Sequence, residues 1–294
     1  MVQIKRMIVS GFLLVLGNSL FAQSIVNISG SVVWEHFEID ADLSVNLAQA
    51  GIQLPTGRIY AEELISDGYQ PLIRPQLLGL PIDSSTLLRD LLERGEISLK
   101  TTDLISDTAR IIAPTMSTDL STLSTHYTVD LRQLSATLMR HDRPSDTMRT
   151  LIAMPVTSYT GIIIITNEAL PVHGKRSSAL TLPCLFPKIW DTDMNLIYER
   201  SMVDRQSTTT MVRYVPPQRI FQNTPSGLDP ELEAFVGTNP LRIIARGVFG
   251  MRPTDPIIDR DDALLIISSE QNRTLLREGK VVIVLDSTML STAF

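Results

Sequence analysis

The chain has 294 residues, 44% of them hydrophobic and 20% charged, with a formal net charge of −6. That composition excludes a disordered or fibrous protein and leaves room for one large domain or two of ordinary size. An acidic chain without a basic run is a poor partner for nucleic acid or an anionic membrane surface, and aromatics at 5% leave the core to Ile, Leu and Val.

Residues 1–22 read as a secretory leader. Lys5 and Arg6 precede the apolar run Met7 to Leu16, and Ala22 offers a small residue for cleavage before Gln23. The other reading is an uncleaved anchor, for which the run is short. No Cys stands at the cleavage point to take a lipid, and no second long apolar run follows, so the mature protein is expected in the periplasm and not spanning a membrane. Cys184 is the single cysteine, which rules out an internal disulfide. Set among Leu182, Leu185 and Phe186, it reads as a buried small hydrophobe rather than a reactive thiol.

Along the mature chain, Val33 to Leu47 alternates. Seven of its eight odd positions are apolar, Glu35 being the exception, which predicts a strand buried on one side, bent or folded as a hairpin near Asp40. A helix is predicted after Pro55. "LLGLPIDSST" reads as a short strand, followed by a Ser-capped helix from about Thr86 to Gly95. Leu104 to Ala113 fits helix and strand equally, and "THYTVDLRQL" is a second alternating strand. The charged, proline-bearing stretch Arg140 to Arg149 marks a boundary between halves 23–140 and 150–294.

Beyond it, "YTGIIIITN" is apolar on both faces, as a strand covered on both sides must be. Short strands are expected at "KIW", "LIY" and "MVRYVP", a loop at "PPQRIFQNTPSGLDPE" and a strand at "PLRIIARGVFG". One long helix is expected with Asp259 as cap and Gly279 as stop, then a last buried strand at "KVVIVLD". The fold class is therefore α/β to α+β, with mixed sheets and flanking helices in two consecutive halves.

Several stretches carry a hint of chemistry. Asp191, Asp193 and Asn195 repeat at every second position like the start of a calcium loop. Position six of such a loop would be Leu196 and position twelve Met202, where Gly and Glu are required, so a hairpin turn is the better reading. His173, Lys175 and Arg176 beside Gly174 are the candidate binding residues, for an anion or a partner's carboxylate. A solvated turn is the competing reading. His36, His126 and His141 lack zinc spacing, and no phosphate loop, dinucleotide turn or nucleophile elbow occurs. No catalytic residue, metal ligand or cofactor is assigned.

"GRIYAEELI", Ile82, Ser84 and Thr86 in "PIDSST", and Tyr127, Val129, Asp130, Leu131 and Leu134 in "YTVDLRQL" together resemble the FlgP-like family of bacterial cell-envelope proteins. That family has an Ala-rich opening helix, a V-x-V-x-S-x-T strand and a Y-x-V-D-L-x-x-L strand. Residues 159–286 look like the extension that longer members carry. The resemblance implies a periplasmic or outer-membrane-associated protein, possessing no catalytic signature and associated with flagella in several members. This chain departs from the family in lacking a lipidated Cys and in having less alanine in the opening helix. Two functions are carried forward: an exported envelope assembly protein with envelope or flagellar protein partners, and a periplasmic enzyme or small-ligand protein with a dispersed site.

Overall fold

The computed structural model describes residues 25–150 and 156–294; the leader read over residues 1–22 lies outside them. In the first half, strands Val26–Val33, Glu38–Asn46 and Thr122–Asp130 form an antiparallel meander. Ile39, Ala41, Leu43 and Val45 point to the core beside Leu123, Tyr127 and Val129, while Asp40, Asp42, His126 and Thr128 face outward. The hairpin turns at Trp34–Phe37, earlier than the expected bend near Asp40, because Val26–Val33 is a strand of its own. Its core face carries the even positions, so the phase changes through the turn.

Helix Arg58–Leu78 covers the core face with Ala61, Ile65, Tyr69, Ile73 and Leu77, one residue per turn. Pro71 and Pro75 lie inside it. Both are exposed and four apart, so the carbonyls they leave unpaired face solvent. The "PIDSST" stretch is a turn rather than a strand, because Asp83 accepts from the backbone N–H groups of Ser85 and Thr86. The helix after it spans Leu88–Glu93. The ambiguous segment is both things: helix Leu99–Asp107, then edge strand Arg110–Ile111. Leu131 and Leu134 begin helix Leu131–Leu138, capped by Asp130.

The second half is built on a parallel sheet. Ile162–Ile165 lies between Val281–Val284 and Leu241–Ile244, with Arg213–Val215 on the far edge. Apolar neighbours on both faces explain the four consecutive isoleucines. A second sheet holds Ile189–Asp191, Leu196–Tyr198, Gly247–Phe249 and Asp255–Ile258. "PLRIIARGVFG" therefore supplies two strands in different sheets. The long helix expected after Asp259 is likewise two, Arg260–Ile267 capped by Asp259 and Glu270–Arg277 capped by Ser269. Asn272 explains the break: its amide donates to the carbonyls of Leu265 and Thr157. No described helix is long and apolar enough to cross a membrane.

The halves share one continuous core. Leu185 and Phe186 donate backbone N–H groups to Pro81 and Ile82, and Arg252 donates to Ser84. The last strand, Ser291–Ala293, returns to pair with Val33–Ser31 at the edge of the first half's sheet. Gly250, at φ +116°, sits where a Cβ would stand 2.4 Å from Ser84 Cβ. We predict that Gly250→Ala costs about 1–3 kcal/mol through this left-handed backbone and the clash. Denaturant midpoints read from Trp34 (in Trp190→Phe) and Trp190 (in Trp34→Phe) should fall together. A shift at Trp190 alone would show that the seam does not couple the halves.

Candidate functional site

A polar cleft lies on this seam. The hairpin tip buries Trp34 and Phe37 and leaves Glu35 and His36 at the surface. Phe37 adopts φ 53°, and its carbonyl accepts from Leu131 N–H at 2.8 Å. Its ring stacks on Tyr214 at 5.9 Å, while Trp34 meets Tyr214 edge-on at 6.2 Å. With the aromatic residues held inward, Glu35 reaches the second half.

The opposite wall comes from edge strand Arg213–Val215, the 3₁₀ turn Pro217–Ile220 and helix Pro230–Val236. Arg132, at the start of its helix, completes a cavity of about 210 Å³. Arg219 is the hub. Its Nε and Nη2 grip Asp229 at 2.5 and 3.0 Å, Nη2 also reaches Glu231 at 2.8 Å, and Nη1 crosses to Glu35 at 3.0 Å. These bonds hold the guanidinium above its ordinary pKa and the Asp229 carboxyl below its own. Asp229 also caps its helix, accepting from Glu231 and Leu232 N–H. Arg213 lies over the Phe235 ring at 3.8 Å from its centroid.

The residues singled out by sequence lie elsewhere. His173, Lys175 and Arg176 share the exposed turn of a small ribbon, Leu170–Pro171 with Ser178–Ala179. Lys175 Nζ donates to the Met251 carbonyl at 3.5 Å and His173 sits edge-on to Phe249, so the three meet on one turn without enclosing a cavity. Asp191 is the anchor of its hairpin. Oδ1 accepts from Asp193 and Asn195 N–H, and Oδ2 from the Asn195 amide. Among the described residues no group of three His, Cys, Asp or Glu is placed to hold a metal ion.

Cys184 is fully buried, and desolvation, with Asp255 nearby, pushes its thiol well up. Asp255 itself accepts from Thr254 Oγ1 and Lys188 N–H, yet its Oδ2 has no partner. Ser84 and Trp190 face it, with the indole N–H outside hydrogen-bonding geometry. Burial raises this carboxyl above its usual range.

Two family models match the chain. Residues 26–137 match the N-terminal domain of Treponema pallidum Tp0624, and residues 161–287 match its second domain. The chain is similar to Tp0624, domain by domain and in order. No curated protein matches it. The Tp0624-type N-terminal domain contributes Glu35, His36 and Arg132 to the cleft, and the second Tp0624-type domain contributes Arg213, Arg219 and Glu231. The cleft thus exists only where the two meet. The last strand, Ser291–Ala293, lies beyond both matched regions.

No motif announces the cleft residues. Glu35 is the one with a signal, as the single polar residue at the odd positions of an alternating run.

The charges give two expectations of opposite sign. Arg219→Gln strands three carboxylates together. After allowance for its 20% exposed side chain, it should cost about 2 kcal/mol at neutral pH. A depressed carboxyl contributes stability that is present above about pH 4 and lost as pH falls through its folded pKa, so urea midpoints of variant and wild type should converge as pH drops below the ordinary carboxylate range. For Asp255 the raised carboxyl contributes stability below about pH 4 that is lost as pH rises through its folded value. Asp255→Asn, which keeps the acceptor for Thr254 and Lys188, should stabilise by on the order of 1 kcal/mol at pH 7 and little at pH 4. An equal effect at both pH values would refute the buried-charge account.

Proposed function

We propose that the protein is an exported component of the bacterial cell envelope that works by binding other polypeptides, in a flagellum-associated assembly as the FlgP-like resemblance implies. The basic-then-apolar leader and the similarity to two consecutive domains of a bacterial protein support this reading. The observation that carries it is the sheet edge at residues 110–116. No further strand lies beyond it among the described residues, and Ile111 and Ile112 there are 63% and 58% exposed. A strand edge with unpaired backbone groups and apolar side chains is a template for another chain.

The test takes the chain in its own cell. Material released from the periplasm should begin at Gln23, and the protein should sediment with envelope complexes. The double variant Ile111→Lys, Ile112→Lys should keep its circular dichroism and lose that sedimentation. A cytosolic chain with an intact leader, or a double variant that sediments as before, would overturn the assignment.

A further inference from the structure

The cleft groups divide by whether their hydrogen-bonding capacity is spent. Glu35, Asp229 and Glu231 are all held by Arg219, and Asp229 accepts two backbone N–H groups besides. Those carboxylates and Arg219 are committed to one another. Two guanidiniums keep donors unspent here, while Glu35 Oε2 and Glu231 Oε1 accept no hydrogen bond among the described residues. The Arg213 guanidinium has the Phe235 face on one side and Glu231 only at 3.8 Å, and makes no hydrogen bond. Arg132 has a single contact to Asp130, at 3.5 Å. Thr209 and His36 are exposed on the rim, with no side-chain partner.

We infer that this cleft is a binding site for a small oxyanion, a carboxylate or phosphate group gripped by Arg213 and Arg132. Arg213 is pre-set for the task. Stacking on Phe235 fixes its plane, so the fork of N–H donors can meet two oxygens without loss of further rotamer freedom. Burial, with Arg132 and Arg219 close by, pulls the Arg213 guanidinium below its ordinary pKa despite Glu231, and an arriving anion relieves that field. At about 30 Å³ per water, the cavity holds the equivalent of about seven waters, enough for a phosphate or a four-carbon dicarboxylate. The site is independent of the envelope reading, because its residues are not on the 110–116 edge.

Isothermal titration of the mature chain with inorganic phosphate, and separately with succinate, tests this against sodium chloride of matched ionic strength. At least one anion should bind with one-site stoichiometry, and the tighter of the two assigns the source. Arg213→Gln should weaken it by about tenfold or more, and Arg132→Gln by a few-fold, as loss of charge-assisted hydrogen bonds requires. Arg58→Gln, on helix Arg58–Leu78 and outside both the cavity and the 110–116 edge, should leave it unchanged. Should Arg213→Gln fail to fold, the 43% exposed Arg132 carries the test. Absence of heat from both anions, or affinities unchanged in the folded arginine variants, would overturn the proposal.

Discussion

The structure depends most on the docking of one hairpin tip. Trp34 and Phe37 leave the first half's sheet and close on Tyr214 of the second. Burying two large aromatic side chains is worth about 1.5–3 kcal/mol each. Against that stands the left-handed backbone at Phe37, which costs about 1–2 kcal/mol for a residue with a Cβ. The tip is stable because the second half supplies the ring faces and Leu131 takes the Phe37 carbonyl. Tyr214 passes the contact inward. Its hydroxyl donates to the Cys184 carbonyl and accepts from the Cys184 N–H, joining the tip to the buried centre of the seam.

The return of the chain reinforces this joint. The final strand pairs with Val33–Ser31, just before the tip, and Trp34 N–H donates to Leu290 on the way. Phe294 then lies over Gly30, whose missing side chain leaves room for the ring. The halves are therefore linked by the 138–160 connector and again by residues 287–293. Two covalent crossings and a common core oppose a hinge, since rotation about one connection must break strand pairing at the other. A cleft formed across such a joint is held at fixed width. Its arginines are presented as a preformed site rather than assembled on closure.

Legibility in the sequence followed burial. Glu38–Asn46 and Thr122–Asp130 bury one face each, and Ile162–Ile165 and Val281–Val284 bury both; each left its period in the residues. Where tertiary hydrogen bonds set the boundary, pattern alone misled. Asn272 splits one predicted helix, and Pro71 and Pro75 persist in another because the Asp67 and Pro71 carbonyls they leave unpaired lie on its exposed side. The turn acids Asp191 and Asp259 were legible because their partners lie within four residues. Arg132, Arg213 and Arg219 were not, since they converge only once the tip has docked. Glu35 alone betrayed the site, by breaking an alternation that its own turn interrupts.

Charge by itself does not distinguish these places. Lys175 and Arg176 carry the same charge as Arg213, but they stand in open solvent, where water screens any ion they meet. Asp191 is a carboxylate like any metal ligand of its type, but both its oxygens are occupied by its own turn. Arg219 is largely covered, but three carboxylates use up its donors. Arg213 differs on both counts. It is half-buried against an aromatic face, where a charge interacts strongly, and its donors are unspent. A cation whose desolvation is only partly compensated is in the state that binding an anion relieves, and that imbalance, rather than the number of arginines, is the physical ground for the site.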